Sequence, residues 1–123
     1  MNMWLASASL GSLGIAVLHV IAGGRIAARP LLDSDLRFLA KQTHYYCWHL
    51  VTLAILAIAA GLGYAAAFAD GVDVGWFAVL LAAAFTVWSL ALGAMRGGKF
   101  VALPQWALFA PVAALGLIGL LNA

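Results

Sequence analysis

The sequence contains no glutamate, one cysteine, and charged residues at only 8% of positions. Each scarcity excludes something. The four carboxylates, Asp33, Asp35, Asp70 and Asp73, all fall outside the long apolar runs. That pattern argues against export coupled to protons through a membrane-embedded carboxylate and against Ser-His-Asp catalysis, so no enzyme activity is read from the chain. Cys47 has no partner for an intramolecular disulfide, and CxxC redox or zinc motifs are absent. The lone thiol reads as a small buried hydrophobe. A net charge of +2 does not point to nucleic acid, because the basic residues flank apolar runs instead of forming a basic face.

What remains is apolar: hydrophobic residues are 67% of 123. Soluble domains carry about a quarter charged residues, so lipid is the solvent implied here. The spacing predicts an all-α integral membrane protein, a four-transmembrane-helix bundle with spans at about residues 4–22, 44–68, 75–94 and 103–121. Each holds roughly twenty residues at about 1.5 Å rise, enough for a hydrocarbon core of about 30 Å. Continuous apolar runs satisfy their backbone as helices and not as alternating barrel strands. The first run is read as a retained span and not a signal peptide, since its positive charges, Arg25 and Arg29, follow it.

All Lys and Arg residues lie in the connections 25–43 and 95–102, while the 69–74 connection holds only Asp70 and Asp73. By the positive-inside rule both basic loops are cytoplasmic and both termini lie outside, as in a small bacterial-type inner-membrane protein. Trp4, Trp76, Trp106, Tyr45 and Tyr46 fall at span ends, where amphipathic rings anchor at headgroup depth. In the first connection, Pro30 discourages helix at Arg29, and Asp33 or Ser34 is a candidate N-cap, so the second helix is expected to restart there as a cytoplasmic extension.

Stripes of small and polar residues indicate inward faces, because close backbone approach and buried hydrogen bonds hold helices together in lipid. Four such stripes are Ala8, Ser12, Ala16, His19 and Gly23; Tyr45, His49, Thr52, Leu56, Ala59 and Gly63; Ala82, Thr86, Ser89, Gly93 and Arg96; and Gln105, Phe109, Val112, Gly116 and Gly119. His19 and His49 are expected level with one another near the cytoplasmic end, the polar end of the bundle.

Three readings follow. The first is a binding or transport-related bundle with a cytoplasmic-side pocket lined by His19, His49, Thr52, Ser89, Arg96 and Gln105, with Arg25 and Arg96 drawing an anionic group of a small ligand. The second is a metal site, with His19 and His49 holding haem or copper; His44 and Cys47 do not share a face with His49. The third is a non-catalytic subunit or assembly factor, forming a homo-oligomer or joining a larger membrane complex through its Ala and Gly faces.

Overall fold

The computed structural model describes all residues from Met1 to Ala123 and is helical throughout, with no strand. Helix α1 (Met3–Leu18) runs without a break into a π-helix (His19–Ala28) and closes with one turn, α2 (Arg29–Leu32). Then come α3 (Phe38–Ala67), a 3-10 turn (Ala69–Gly71), α4 (Val72–Met95) and α5 (Gln105–Leu121). The segments Met3–Leu32, Phe38–Ala67 and Ala69–Met95 are long and apolar enough to cross a membrane, and α5 is a shorter apolar helix. The outside of the molecule is apolar too: Phe77 is 68% and Trp88 65% exposed. Water does not favour such a surface, and together these features point to a membrane protein.

The helices close a ring in which α1 packs on α3 and α5, and α4 packs on α3 and α5. Sequence neighbours are therefore spatial neighbours, the up-and-down arrangement that short connections favour. One end of the ring gathers the basic residues from Arg25 to Lys41 and from Arg96 to Lys99. The opposite end is tied by Asn2. Its Oδ1 accepts from the N–H groups of Trp4 and Leu5, which caps α1, while its Nδ2 donates to Gly119 O and its own N–H to Ala66 O.

The α1–α3 seam has a regular register. Asn2 N–H donates to Ala66 O, Ser9 Oγ to Ala59 O, Ser12 Oγ to Ile55 O, and His19 Nε2 lies 3.3 Å from Trp48 O. Seven residues along α1, from Asn2 to Ser9 or from Ser12 to His19, correspond to seven back along α3, from Ala66 to Ala59 or from Ile55 to Trp48. A seven-residue repeat between antiparallel helices is the geometry of left-handed coiled-coil packing. Leu5 and Leu62 sit in the same seam and are fully buried.

Glycines bring the other pairs close. A Cβ on Gly116 would stand 2.5 Å from Val79 Cγ2, one on Gly119 2.7 Å from Leu5 Cγ, and one on Gly75 2.8 Å from Ala65 Cβ. Between α4 and α5 the chain turns through Gly97 and Gly98, both at positive φ, and Gly98 N–H returns to Gly93 O.

Several sequence expectations change. The first helix does not end near Ala22 but continues to Leu32, because nothing between Ala22 and Pro30 stops it. Arg29 is helical at φ −63° and ψ −52°, despite preceding Pro30. Pro30 follows the π-helix without a break, and its missing N–H removes one hydrogen bond to the preceding turn where Arg29 N–H still bonds Gly24 O. Neither Asp33 nor Ser34 caps the next helix. Asp33 ends α2, Ser34 Oγ donates to Leu31 O, Lys41 Nζ donates to Leu32 O, and α3 begins at Phe38 without a side-chain cap. The start at Phe38 does extend α3 beyond its apolar core. On α3 the packed face is Ile55, Ile58, Ala59, Leu62, Ala65 and Ala66, whereas His49 and Leu56 are exposed. Cys47 is exposed, not buried.

Candidate functional site

The basic end holds a groove of about 510 Å³ between the π-helix and the start of α3. Its π-helical wall presents Val20, Ile21, Gly24 and Arg25, and its α3 wall Tyr45, Trp48 and His49. Arg29 and Leu32 close the far end. The unusual helix explains the convergence. Hydrogen bonds from residue i to i+5 stack residues four and five apart, so Val20, Gly24, Arg25 and Arg29 fall along one side. Gly24 has no heavy atom within 4 Å of where its Cβ would be, so its missing side chain leaves open space in the groove wall.

The α3 wall carries three rings, Tyr45, Trp48 and His49, and His19 of the π-helix joins their cluster. His19 stacks on Trp48 with centroids 4.5 Å apart and planes 20° from parallel. His49 meets the same indole edge-on at 5.0 Å, and Tyr45 meets His49 edge-on at 4.6 Å. Because Trp48 O can only accept, His19 carries its proton on Nε2 to form the 3.3 Å contact. Its Nδ1 turns towards Gly23 of its own chain segment. His19 thus braces Trp48 from behind and does not line the groove, while His49 does.

The electrostatics of the groove are one-sided. Arg25 and Arg29 line it, both exposed, and no carboxylate does. Side-chain hydrogen bonds at this end are made by His19, Ser34, Lys41, His44 and Thr52, and neither arginine is among their partners. Two guanidinium groups therefore face the groove without an internal counter-charge.

The remaining residues singled out from the sequence lie elsewhere. Thr52 Oγ1 donates to Trp48 O in its own helix, at 3.4 Å. Ser89 is buried and accepts from Trp106 N–H at 3.0 Å while donating towards Leu103 O at 3.4 Å, so it caps the start of α5, which has no side-chain cap of its own. Ser89 and Gln105 share a small apolar crevice with Val51, Phe85, Trp88, Leu92 and Phe109. Arg96 is exposed at the end of α4 and lines neither depression. The six candidates thus divide between two places and the end of a helix, and only His49 lines the basic groove.

No three His, Cys, Asp or Glu side chains gather as metal ligands would. For two axial imidazoles on one haem, both rings need a free nitrogen aimed into a shared slot. His19 Nε2 is engaged at Trp48 O, which leaves Nδ1 as the nitrogen such a site would use, and the His19 ring stacks on the Trp48 indole that His49 meets edge-on. The groove residues that sequence reasoning left out of the candidate site are Arg29 and Tyr45, which read as residues of the headgroup region, and Trp48, which lies deeper in its span. Their convergence depends on the π-helix, for which four- and five-residue spacings are the only trace in the sequence. Comparison with known protein families, curated proteins and solved structures returns no match for this chain.

Proposed function

We propose that the protein is a four-span integral membrane protein of the inner membrane that binds an anionic amphiphile in its basic groove, on the cytoplasmic side. In this reading both basic connections are cytoplasmic and both termini lie outside. The supporting observation is that Arg25, Arg29, Tyr45, Trp48 and His49 share one concave surface with the aliphatic side chains of Val20, Ile21 and Leu32. Charged donors beside hydrocarbon walls suit a molecule with an acidic head and an apolar body. A ligand of this kind reaches the groove sideways from the bilayer, so no aqueous channel through the bundle is required.

The test uses Gly24. A leucine there meets no neighbouring atom at its Cβ and projects into the groove, so it blocks the site without disturbing the packing. Intact protein released from mild detergent into a mass spectrometer is expected to carry an adduct with the mass of an anionic amphiphile. Gly24→Leu is expected to lose that adduct while keeping its thermal unfolding temperature. An adduct equally abundant on both proteins, or none on the wild type even after anionic lipid is added, would refute the proposal.

A further inference from the structure

We infer that the groove selects a lipid whose head is a phosphate monoester, over lipids with a phosphodiester or carboxylate head. This rests on the reading of the groove as an amphiphile site and goes beyond it by naming the head. The argument is one of charge and of acceptor geometry. Arg25 and Arg29 bring two fixed positive charges to one groove that no carboxylate lines. A singly charged head offsets one of these two charges, and a doubly charged head offsets both. A phosphate monoester carries about −1.5 to −2 charges near neutral pH, and it has three terminal oxygens.

The donors suit a head with several free oxygens. Each guanidinium presents a planar fork that bonds two oxygens at once, which an ammonium cannot do. Tyr45 and His49 add a phenol and an imidazole on the opposite wall, so a head with three free oxygens can be bonded from both walls at once. A carboxylate has too few oxygens to use this set, and a phosphodiester has only two unesterified ones. Below the head, Val20, Ile21 and Leu32 offer hydrocarbon contact to the tail. The tail distinguishes a lipid from free phosphate, which shares the head chemistry but cannot use those side chains.

The experiment titrates the detergent-purified full chain with dioleoyl phosphatidic acid, dioleoyl phosphatidylglycerol and inorganic phosphate, and counts bound molecules by native mass spectrometry. Phosphatidic acid is expected to bind at least about tenfold more tightly than phosphatidylglycerol, the margin that one additional charge-assisted hydrogen bond gives. Inorganic phosphate is expected not to displace it at comparable concentration. The double variant Arg25→Lys with Arg29→Lys keeps the charge that sets topology but loses the forks, and is expected to weaken phosphatidic acid about tenfold. Arg37→Gln with Lys99→Gln removes two charges of the same end outside the groove and is expected to leave binding unchanged.

Equal binding of the two lipids, both abolished by Gly24→Leu, overturns the monoester selection and leaves the amphiphile groove standing. Displacement by inorganic phosphate at matched concentration overturns the requirement for a tail. Binding that follows Arg37 and Lys99 as strongly as Arg25 and Arg29, and ignores Gly24→Leu, overturns both the selection and the groove.

Discussion

Ser9, Ser12 and His19 each place a donor on a carbonyl of α3 that the helix itself already uses. A carbonyl oxygen has two lone pairs, so at Ala59 O and Ile55 O the second bond does not break the first, while Trp48 O is shared between His19 Nε2 and the longer Thr52 Oγ1 contact as well. Such bonds matter in lipid because no hydrophobic drive presses one helix on another, yet each contributes modestly, about 0.6 kcal/mol on average and up to about 1.7. Ser12 is the most informative, being fully buried. Ser12→Ala is expected to destabilise the protein by about 1 kcal/mol, whereas Ser12→Val adds overpacking in a closed seam and is expected to cost about 1–3 kcal/mol. Unfolding in mixed micelles of increasing sodium dodecyl sulfate fraction measures both, and an Ser12→Val protein as stable as wild type would show that the seam is loose. The same seam gives His19 an interhelical contact, Nε2 to Trp48 O, of the kind that an imidazole within an apolar run makes when it holds two helices together.

Among the elements, the legible faces were those where small residues contrast with large ones. On α4, Ala82, Ser89 and Gly93 are buried, and on α5 so are Phe109, Val112, Gly116 and Gly119, as their spacing predicts. The α3 face was harder to place, because Ile, Leu and Ala occur all round that helix and the polar Tyr45, His49 and Thr52 lie towards the groove end instead of marking the core. The π-helix was not legible, since its residues would also fit an α-helix and only their hydrogen-bond pattern differs. The close α4–α5 approach gives a clean prediction. Gly116→Ala puts a methyl 2.5 Å from Val79 Cγ2, which the helix pair cannot absorb without separating. A loss of about 1–3 kcal/mol is expected from overpacking, and Val79→Ala in the same chain is expected to restore much of it by removing the clashing methyl. Additive losses in the double variant would mean that the two helices already part at this point.

At the scale of the molecule, the helices differ in length in a way that makes the two ends unlike. At about 1.5 Å per residue, the 30 residues of α3 reach about 45 Å, well past a hydrocarbon core of about 30 Å, while the 17 residues of α5 reach only about 25 Å. The excess of α3 and of the first helix lies at the basic end, where the groove is, so the orientation of the chain decides which leaflet supplies the ligand. Single cysteines at Ala69 and Ala102, both exposed and both uncharged, report that orientation without altering the Lys and Arg distribution. Native Cys47 is exposed and must first become serine. A membrane-impermeant maleimide is expected to label Ala69→Cys from the outside of intact cells, and Ala102→Cys only in inverted vesicles. The reverse pattern would turn the groove to the outer leaflet, where the cytoplasmic anionic lipids are not available to it, and the source of the amphiphile would have to be sought outside the cell. Labelling of each cysteine from both sides would mean that six basic residues are too few to settle the direction of insertion.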